Sequence, residues 1–283
     1  MARVLIAGCG DVGTELGVRL KEHGHVVWGL RRSADAFPLG ISPLVADLTK
    51  PDTLQTLPPR LDFVVYTAAP DHASEETYHA VYVEGVRNLL TALQRQQQQM
   101  QRFFFTSSTG VYAQTSGEWV DECSPAEPVH FSGTRLLAAE DELLNSSFPA
   151  TVVRLGGIYG PGRTRLLTSV RNGTAVCLDQ APHYTNRIHR DDCAGALQHL
   201  LSLPQPARLY LGVDHEPAEY WEVVRWLASR LGVPAPQSKT PREPQSRAQR
   251  SNKRCRNARL VATGYRFRYP TFREGYAALI AAS

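Results

Sequence analysis

Lysine and methionine are scarce in this 283-residue chain: of 31 basic residues only four are lysine, and there are two methionines. A cation in this protein is therefore nearly always a planar guanidinium, suited to bidentate contact with a phosphate or carboxylate. Cysteine is sparse and scattered. Cys9, Cys123, Cys177, Cys193 and Cys255 form no C-x-x-C pair, which excludes zinc-finger spacing and a disulfide framework and fits reduced thiols. No run of 18 apolar residues exists, so no segment reads as a membrane-spanning helix. Neither sign of charge dominates: the net charge is +4, too mild to call for nucleic acid. Hydrophobic residues at 42% and charged residues at 20% exclude a largely disordered chain. Met1 to Gly8 is too short an apolar stretch for a signal peptide, so the expectation is a cytoplasmic protein.

What is present is an alternation. Arg3 to Ala7, His25 to Leu30, Ser42 to Ala46, Asp62 to Thr67, Arg102 to Thr106 and Thr151 to Leu155 read as strands. Helical spacing lies between them, at Val12 to His23, Pro51 to Leu57 and a long stretch from Ser74 to Gln101. Strand then helix, repeated, predicts an α/β fold with a doubly wound parallel sheet. The glutamine-rich end of that long stretch, Gln94 to Gln101, reads as a solvated last helical turn. After residue 156 the rhythm changes. Leu166 to Asn172, Asp191 to Ser202 and Glu219 to Leu231 read as helices, and Leu209 to Gly212 as a strand. Residues 234–252, rich in Pro, Gln and Arg, read as a mobile surface loop. The expected division is a Rossmann cofactor-binding domain of residues 1–155 and 188–213. A smaller, discontinuous substrate-binding region would comprise residues 156–187 and 214–283.

Gly8-Cys9-Gly10-Asp11-Val12-Gly13 is a G-x-G-x-x-G loop between the first strand and the first helix. In that setting Gly8 allows the tight turn, Gly10 lets the backbone approach a pyrophosphate, and Gly13 lets the helix pack close to the strand. Unsatisfied N–H groups at the helix start, around Asp11 and Val12, face the phosphates. The second strand ends in Arg31-Arg32-Ser33 where an NAD-binding chain would carry an acidic residue. Two guanidiniums and a hydroxyl suit a 2′-phosphate, so the expected cofactor is NADP rather than NAD. Asp47 and Leu48 are placed near the adenine, and Ala68 and Ala69 under the cofactor.

Further landmarks are Val83-Glu84-Gly85 with Asn88-Leu89-Leu90, Thr106-Ser107-Ser108-Thr109-Gly110-Val111-Tyr112, and Arg154-Leu155. Gly157-Ile158-Tyr159-Gly160-Pro161-Gly162 and Ile188-His189-Arg190-Asp191-Asp192 follow. With the glycine loop and Ala68-Ala69, in this order, they make the chain resemble the extended and atypical short-chain dehydrogenase/reductases. This is the NAD(P)-dependent epimerase/dehydratase family, and within it the chain resembles the branch that includes the YeeZ-like proteins. The resemblance implies that Ser108 positions a substrate oxygen. It also implies a Tyr-x-x-x-Lys pair on the following helix, and here the chain departs. Tyr is replaced by Phe131 and Lys by Arg135, and no Tyr-x-x-x-Lys occurs anywhere in the sequence. A phenyl ring has no proton to give, whereas Arg135 retains hydrogen bonds for a nicotinamide ribose. The family's Asn on the preceding helix is replaced by Tyr82. Another acid would then be needed: Tyr82, Tyr78, His130 or a water held by Ser108.

Two functions remain open at this point. One is an NADP-dependent oxidoreductase or epimerase-like protein acting on a small polar substrate, nucleotide sugars included, with Arg163 and Arg165 for an anionic group. The other is a catalytically silent NADP-binding sensor or regulator. The resemblance also implies a homodimer through the helices at Ser74 to Gln101 and Phe131 to Leu144. His189 with Asp191 and Asp192 reads as a structural segment whose aspartates cap the next helix, not as a metal site. Asp121 and Glu122 read as loop caps, Cys9 and Cys123 as inert thiols.

Overall fold

The computed structural model describes residues 1–33, 37–178, 182–236, 238–239 and 251–282. Residues 237 and 240–250 of the expected surface loop lie outside the described residues. The chain begins with β1 (Arg3–Ala7), α1 (Asp11–Glu22), β2 (Val26–Arg31) and β3 (Ile41–Val45). Next come β4 (Phe63–Tyr66), α2 (Glu75–Tyr78), a π-helical segment His79–Glu84, and α3 (Gly85–Arg95). They are followed by β5 (Arg102–Ser108), β6 (Glu118–Val120), α4 (Phe131–Leu144) and β7 (Ala150–Leu155). The later elements are β8 (Gly157–Tyr159), α5 (Arg165–Arg171), β9 (Cys177–Leu178), β10 (Tyr184–Thr185), β11 (Arg187–His189) and α6 (Arg190–Ser202). Then come β12 (Leu209–Gly212), β13 (Ala218–Glu219), α7 (Tyr220–Leu231) and two further helices, Ala258–Ala262 and Phe272–Ala281.

A seven-stranded sheet runs β12-β7-β5-β4-β1-β2-β3. The pairs β1–β2, β1–β4, β2–β3 and β4–β5 are parallel. This is the doubly wound α/β fold that the alternation predicts. Val4–Ala7 and Phe103–Phe105 have no exposed surface, as strands covered on both faces require. Chain order reverses between β1 and β4, the switch point where open α/β sheets bind ligands. Register brings the strand ends level there: Ala7 lies opposite Leu30 and Tyr66, and Tyr66 opposite Phe105. Gly8, Arg31, Thr67 and Thr106 therefore start from one edge.

The helices pack as their apolar stripes dictate. Val12, Leu16 and Leu20 of α1 are buried, as are Val86, Leu89, Leu90 and Leu93 of α3. A Cβ on Gly17 would stand 2.5 Å from Ile41 Cδ1, so this glycine lets α1 lie close to β3. The long helix expected from Ser74 to Gln101 is different in two respects. It changes winding at His79–Glu84, and it ends at Arg95. Residues 96–101 are not a solvated helical turn. Gln97 takes a positive φ of 51°, and Gln98 turns inward, accepting from Leu61 N at 3.0 Å and donating to Pro58 O at 2.8 Å. Tertiary hydrogen bonds to a loop outweigh the helical bonds that a solvated turn would have supplied.

The residues form two compact units. One comprises 1–111, 126–154 and 194–210; the other comprises 112–125, 155–193 and 211–283. The second has a core that includes Tyr159, Leu167, Val223, Leu227, Phe272 and Tyr276. No helix among the described residues is long and apolar enough to cross a membrane.

Candidate functional site

The glycine loop is anchored by its own backbone. Gly8 N and Cys9 N both donate to Leu30 O at 2.9 Å. Gly8 sits at φ +87°, and a Cβ there would stand 2.3 Å from Ala68 Cα. A Cβ on Gly13 would stand 2.7 Å from Thr67 Oγ1 and 2.9 Å from Gly8 O. Both glycines are thus required by the protein itself. Gly10 is not: its Cβ would meet only Gly8 O, at 3.9 Å. That space lies at the start of α1, whose N-cap residue, Gly10, has no side chain to cap the helix. An open cradle over a helix N-terminus fits a pyrophosphate. Around it, Val12 is buried, Asp11 occupies the first turn, Ala68 is half-buried and Ala69 is exposed.

The three residues expected to read a 2′-phosphate separate in the structure. The Arg31 guanidinium lies 3.9 Å over the Phe37 ring. Its Nε and Nη2 are buried without a hydrogen-bond partner among the described residues. Buried N–H groups are rarely left orphaned, so this pair fits an anion. Arg32 is exposed and committed to Asp71, with Nη2 donating at 3.0 and 2.8 Å. Ser33 is exposed. Asp47 closes its own turn, accepting from Thr49 N at 3.0 Å and Thr49 Oγ1 at 2.8 Å. Burial resists ionisation there, but the Thr49 bonds outweigh it and hold the carboxyl below its ordinary range. Leu48 is buried, and its carbonyl accepts from Asn88 Nδ2 at 3.0 Å.

At the end of β5, Ser108 Oγ accepts from Gly110 N at 3.0 Å. A Cβ on Gly133 would stand 2.7 Å from Gly110 O, so α4 closes tightly on this turn. Ser107 faces inward and donates to Glu140 Oε1 at 2.5 Å. Arg154 completes the group, with Nη2 donating to Glu140 Oε2 at 2.6 Å and Nε to Oε1 at 3.1 Å. All three are buried. They tie β5, α4 and β7 together beside Ser108. Sequence reasoning missed Glu140, which reads as one more charge on an amphipathic helix.

Phe131 opens α4 and is 37% exposed. Tyr78 meets it edge-on, with ring centroids 5.5 Å apart. Tyr82 lies 5.4 Å from Tyr78 and 6.2 Å from Phe105. Tyr82, the expected site residue, is buried, while Tyr78 is half-exposed. The π-helical segment has a visible cause. The Tyr66 hydroxyl donates to Val81 O within it, and a Cβ on Gly85 would stand 2.5 Å from that hydroxyl. The wedge takes a carbonyl out of the α-helical ladder. Arg135 donates from Nη2 to Glu75 Oε1 at 2.6 Å, and its Nε is buried without a partner among the described residues. The pairing with Glu75 was not foreseen.

In the second unit the acidic residues of the Ile188–Asp192 motif are engaged. Asp192 accepts from Tyr265 Oη and Arg268 N, both at 2.8 Å, and from Tyr269 N at 2.9 Å. It therefore fastens residues 265–269 rather than capping α6, in whose first turn it lies. Asp191 pairs with Arg190 at 2.9 Å, and its N–H donates to His189 Nδ1 at 3.1 Å. Burial lowers the His189 pKa despite the neighbouring aspartates. No group of three potential metal ligands occurs among the described residues. Asp121 does cap its loop, accepting from Cys123 N at 2.9 Å, whereas Glu122 accepts from Leu211 N at 2.9 Å. Arg163 lies in the turn after Gly160, and Arg165 opens α5.

The NAD dependent epimerase/dehydratase family matches residues 4–194 of the chain. Protein YeeZ of Escherichia coli K12 is 31% identical over 230 residues, covering 74% of this chain and 77% of that protein. The structure of a putative NAD-dependent epimerase/dehydratase from Methylobacillus flagellatus is 42% identical, with a TM-score of 0.82 over 99% of this chain and 98% of that one. The human epimerase family protein SDR39U1, solved with NADPH, is 22% identical, with a TM-score of 0.78 over 95% of this chain and 96% of that one. At that identity the likeness shows the fold alone. The chain belongs to the NAD dependent epimerase/dehydratase family.

Proposed function

We propose that the protein binds NADP at the switch point of the first unit and uses it as an oxidoreductase or epimerase-like enzyme on a small polar substrate. The observation that carries this reading is the space over Gly10, which the protein's own packing does not require and a pyrophosphate would fill. Arg31, with two buried N–H groups and no partner among the described residues, supports NADP over NAD. Bound there, the cofactor would supply or accept the hydride. The chain's own residues would do the rest. Ser108 would orient the reacting oxygen through its hydroxyl, and Arg135 would hold the nicotinamide ribose through the N–H groups that Glu75 leaves free. Tyr78, the half-exposed phenol beside Phe131, is the best-placed acid, since Tyr82 is buried. The second unit would select the substrate, with Arg163 and Arg165 for an anionic group.

Phe131 favours a second reading, a cofactor-binding protein that performs no chemistry. Calorimetric titration with NADPH and NADH, followed by a turnover screen on sugar nucleotides and small carbonyl compounds, separates the two. The enzyme reading expects tighter NADPH binding with turnover that Tyr78→Phe lowers by about 100-fold, the scale of a lost general acid. Tight binding without turnover supports the silent reading. Failure to bind either nucleotide overturns both.

A further inference from the structure

Two side-chain pairs run side by side between α2 and α4. On α4, Phe131 and Arg135 are four residues apart and share a face. On α2, Ser74 caps the helix by accepting from Thr77 N at 3.3 Å. That sets Glu75 at the first helical position and Tyr78 three residues on. Tyr78 meets Phe131 with rings perpendicular, and Glu75 takes Arg135 Nη2 at 2.6 Å. The pair is partly exposed, with 31% of the Arg135 and 53% of the Glu75 side chain accessible. Ion pairs of that exposure add little to stability, so the pair can be removed without loss of the fold.

What the pair sets is charge. The guanidinium at 135 is a permanent cation, as a lysine ammonium there would also be at neutral pH. A permanent cation beside the nicotinamide ribose would oppose the oxidised cofactor, whose nicotinamide ring is itself cationic, and would not oppose the reduced one. A carboxylate on Arg135 cancels that bias.

We propose that Glu75 is a positioning and charge-balancing residue for the nicotinamide end of the site, holding Arg135 in place and neutralising it so that oxidised and reduced cofactor are both accepted. This rests on the cofactor reading above. Glu75 touches Arg135 and acts through it.

The test is a charge cycle read by binding, with no substrate. Wild type, Glu75→Gln, Arg135→Gln and the double variant are titrated with NADPH and NADP+, and with NADH and NAD+. The pair that wild type binds more tightly is used. The quantity of interest is the Kd of the oxidised form divided by that of the reduced form. It should rise about fivefold in Glu75→Gln, where a lone cation remains, and fall about fivefold in Arg135→Gln, where a lone carboxylate remains. In the double variant, neutral again, it should return to the wild-type value. Melting temperatures should stay within about 2 °C, as for an exposed pair. A merely structural role would weaken both forms alike and give no opposed signs. A ratio unmoved in the single variants, or moved the same way in both, overturns the proposal while the cofactor reading stands. Absence of binding by wild type overturns the cofactor reading, and this inference with it.

Discussion

Arg31 and Arg32 are neighbours in sequence with different surroundings. Arg32 is held by Asp71 across two exposed loops, whereas Arg31 lies on Phe37 with two buried N–H groups unused among the described residues. If Arg31 is the anion reader, Arg31→Ala should weaken NADPH binding by about tenfold or more and leave NADH nearly unchanged, since a charge-assisted bond to phosphate is lost. Arg32→Ala should change neither by more than about twofold. Fluorescence titration of the two variants checks both statements. The glycines divide in the same way. Gly10→Ala should keep the melting temperature of wild type and lose cofactor affinity, because its Cβ meets only Gly8 O, at 3.9 Å, and would project into the space proposed for the pyrophosphate. Gly8→Ala should lower the melting temperature, because it combines a left-handed backbone with a 2.3 Å approach to Ala68. Thermal unfolding with and without NADPH separates the two effects.

The elements around Ser108 are joined by Ser107, Glu140 and Arg154 rather than by apolar packing alone. A buried ion pair adds little net stability over well-packed apolar residues, but removing one partner strands the other. Glu140→Gln should therefore destabilise the protein by about 3 kcal/mol, measured by chemical denaturation. The π-helical segment between α2 and α3 is likewise an element-level outcome. Periodicity over 74–101 reads as one helix because Tyr78, Tyr82, Val86, Leu89 and Leu93 recur at helical spacing. Nothing local announces that the Tyr66 hydroxyl will take the Val81 carbonyl. The same holds for Gln98, whose bonds to Leu61 and Pro58 come from about 40 residues away.

For the whole molecule, pH is a probe of burial. Asp214 is buried in the second unit. Its Oδ1 accepts from Glu216 N at 3.1 Å, and its Oδ2 has no partner among the described residues. Burial pushes its carboxyl up to about 8, with Glu216 N and Arg187 opposing the rise. An unfolded Asp titrates near ~4, so the folded state holds this proton the more tightly. Its contribution to stability is complete below about pH 4 and declines as pH rises, until it is lost above about pH 8. Asp214→Asn, which cannot ionise, should melt several degrees above wild type at pH 9 and show a flatter profile from pH 5 to 9. Equal profiles for the two proteins would remove Asp214 as the cause.

The doubly wound sheet and the glycine loop between β1 and α1 were legible in the sequence because both are written locally. Strand and helix periods repeat along the chain, and Gly8, Gly10 and Gly13 fall within six residues between a strand and a helix. The absence of any Tyr-x-x-x-Lys from the chain was legible for the same reason, since it concerns residue type at fixed spacing. Side-chain partnership was decided only by the tertiary structure. Glu75 and Arg135 are 60 residues apart, and Ser107 and Glu140 33 apart, and no pattern along the chain marks either as a pair. Such contacts depend on the register of whole strands, on a helix closing against a glycine, and on one hydroxyl that rewinds another helix. These are set when the sheet and its helices pack, and local sequence does not encode them.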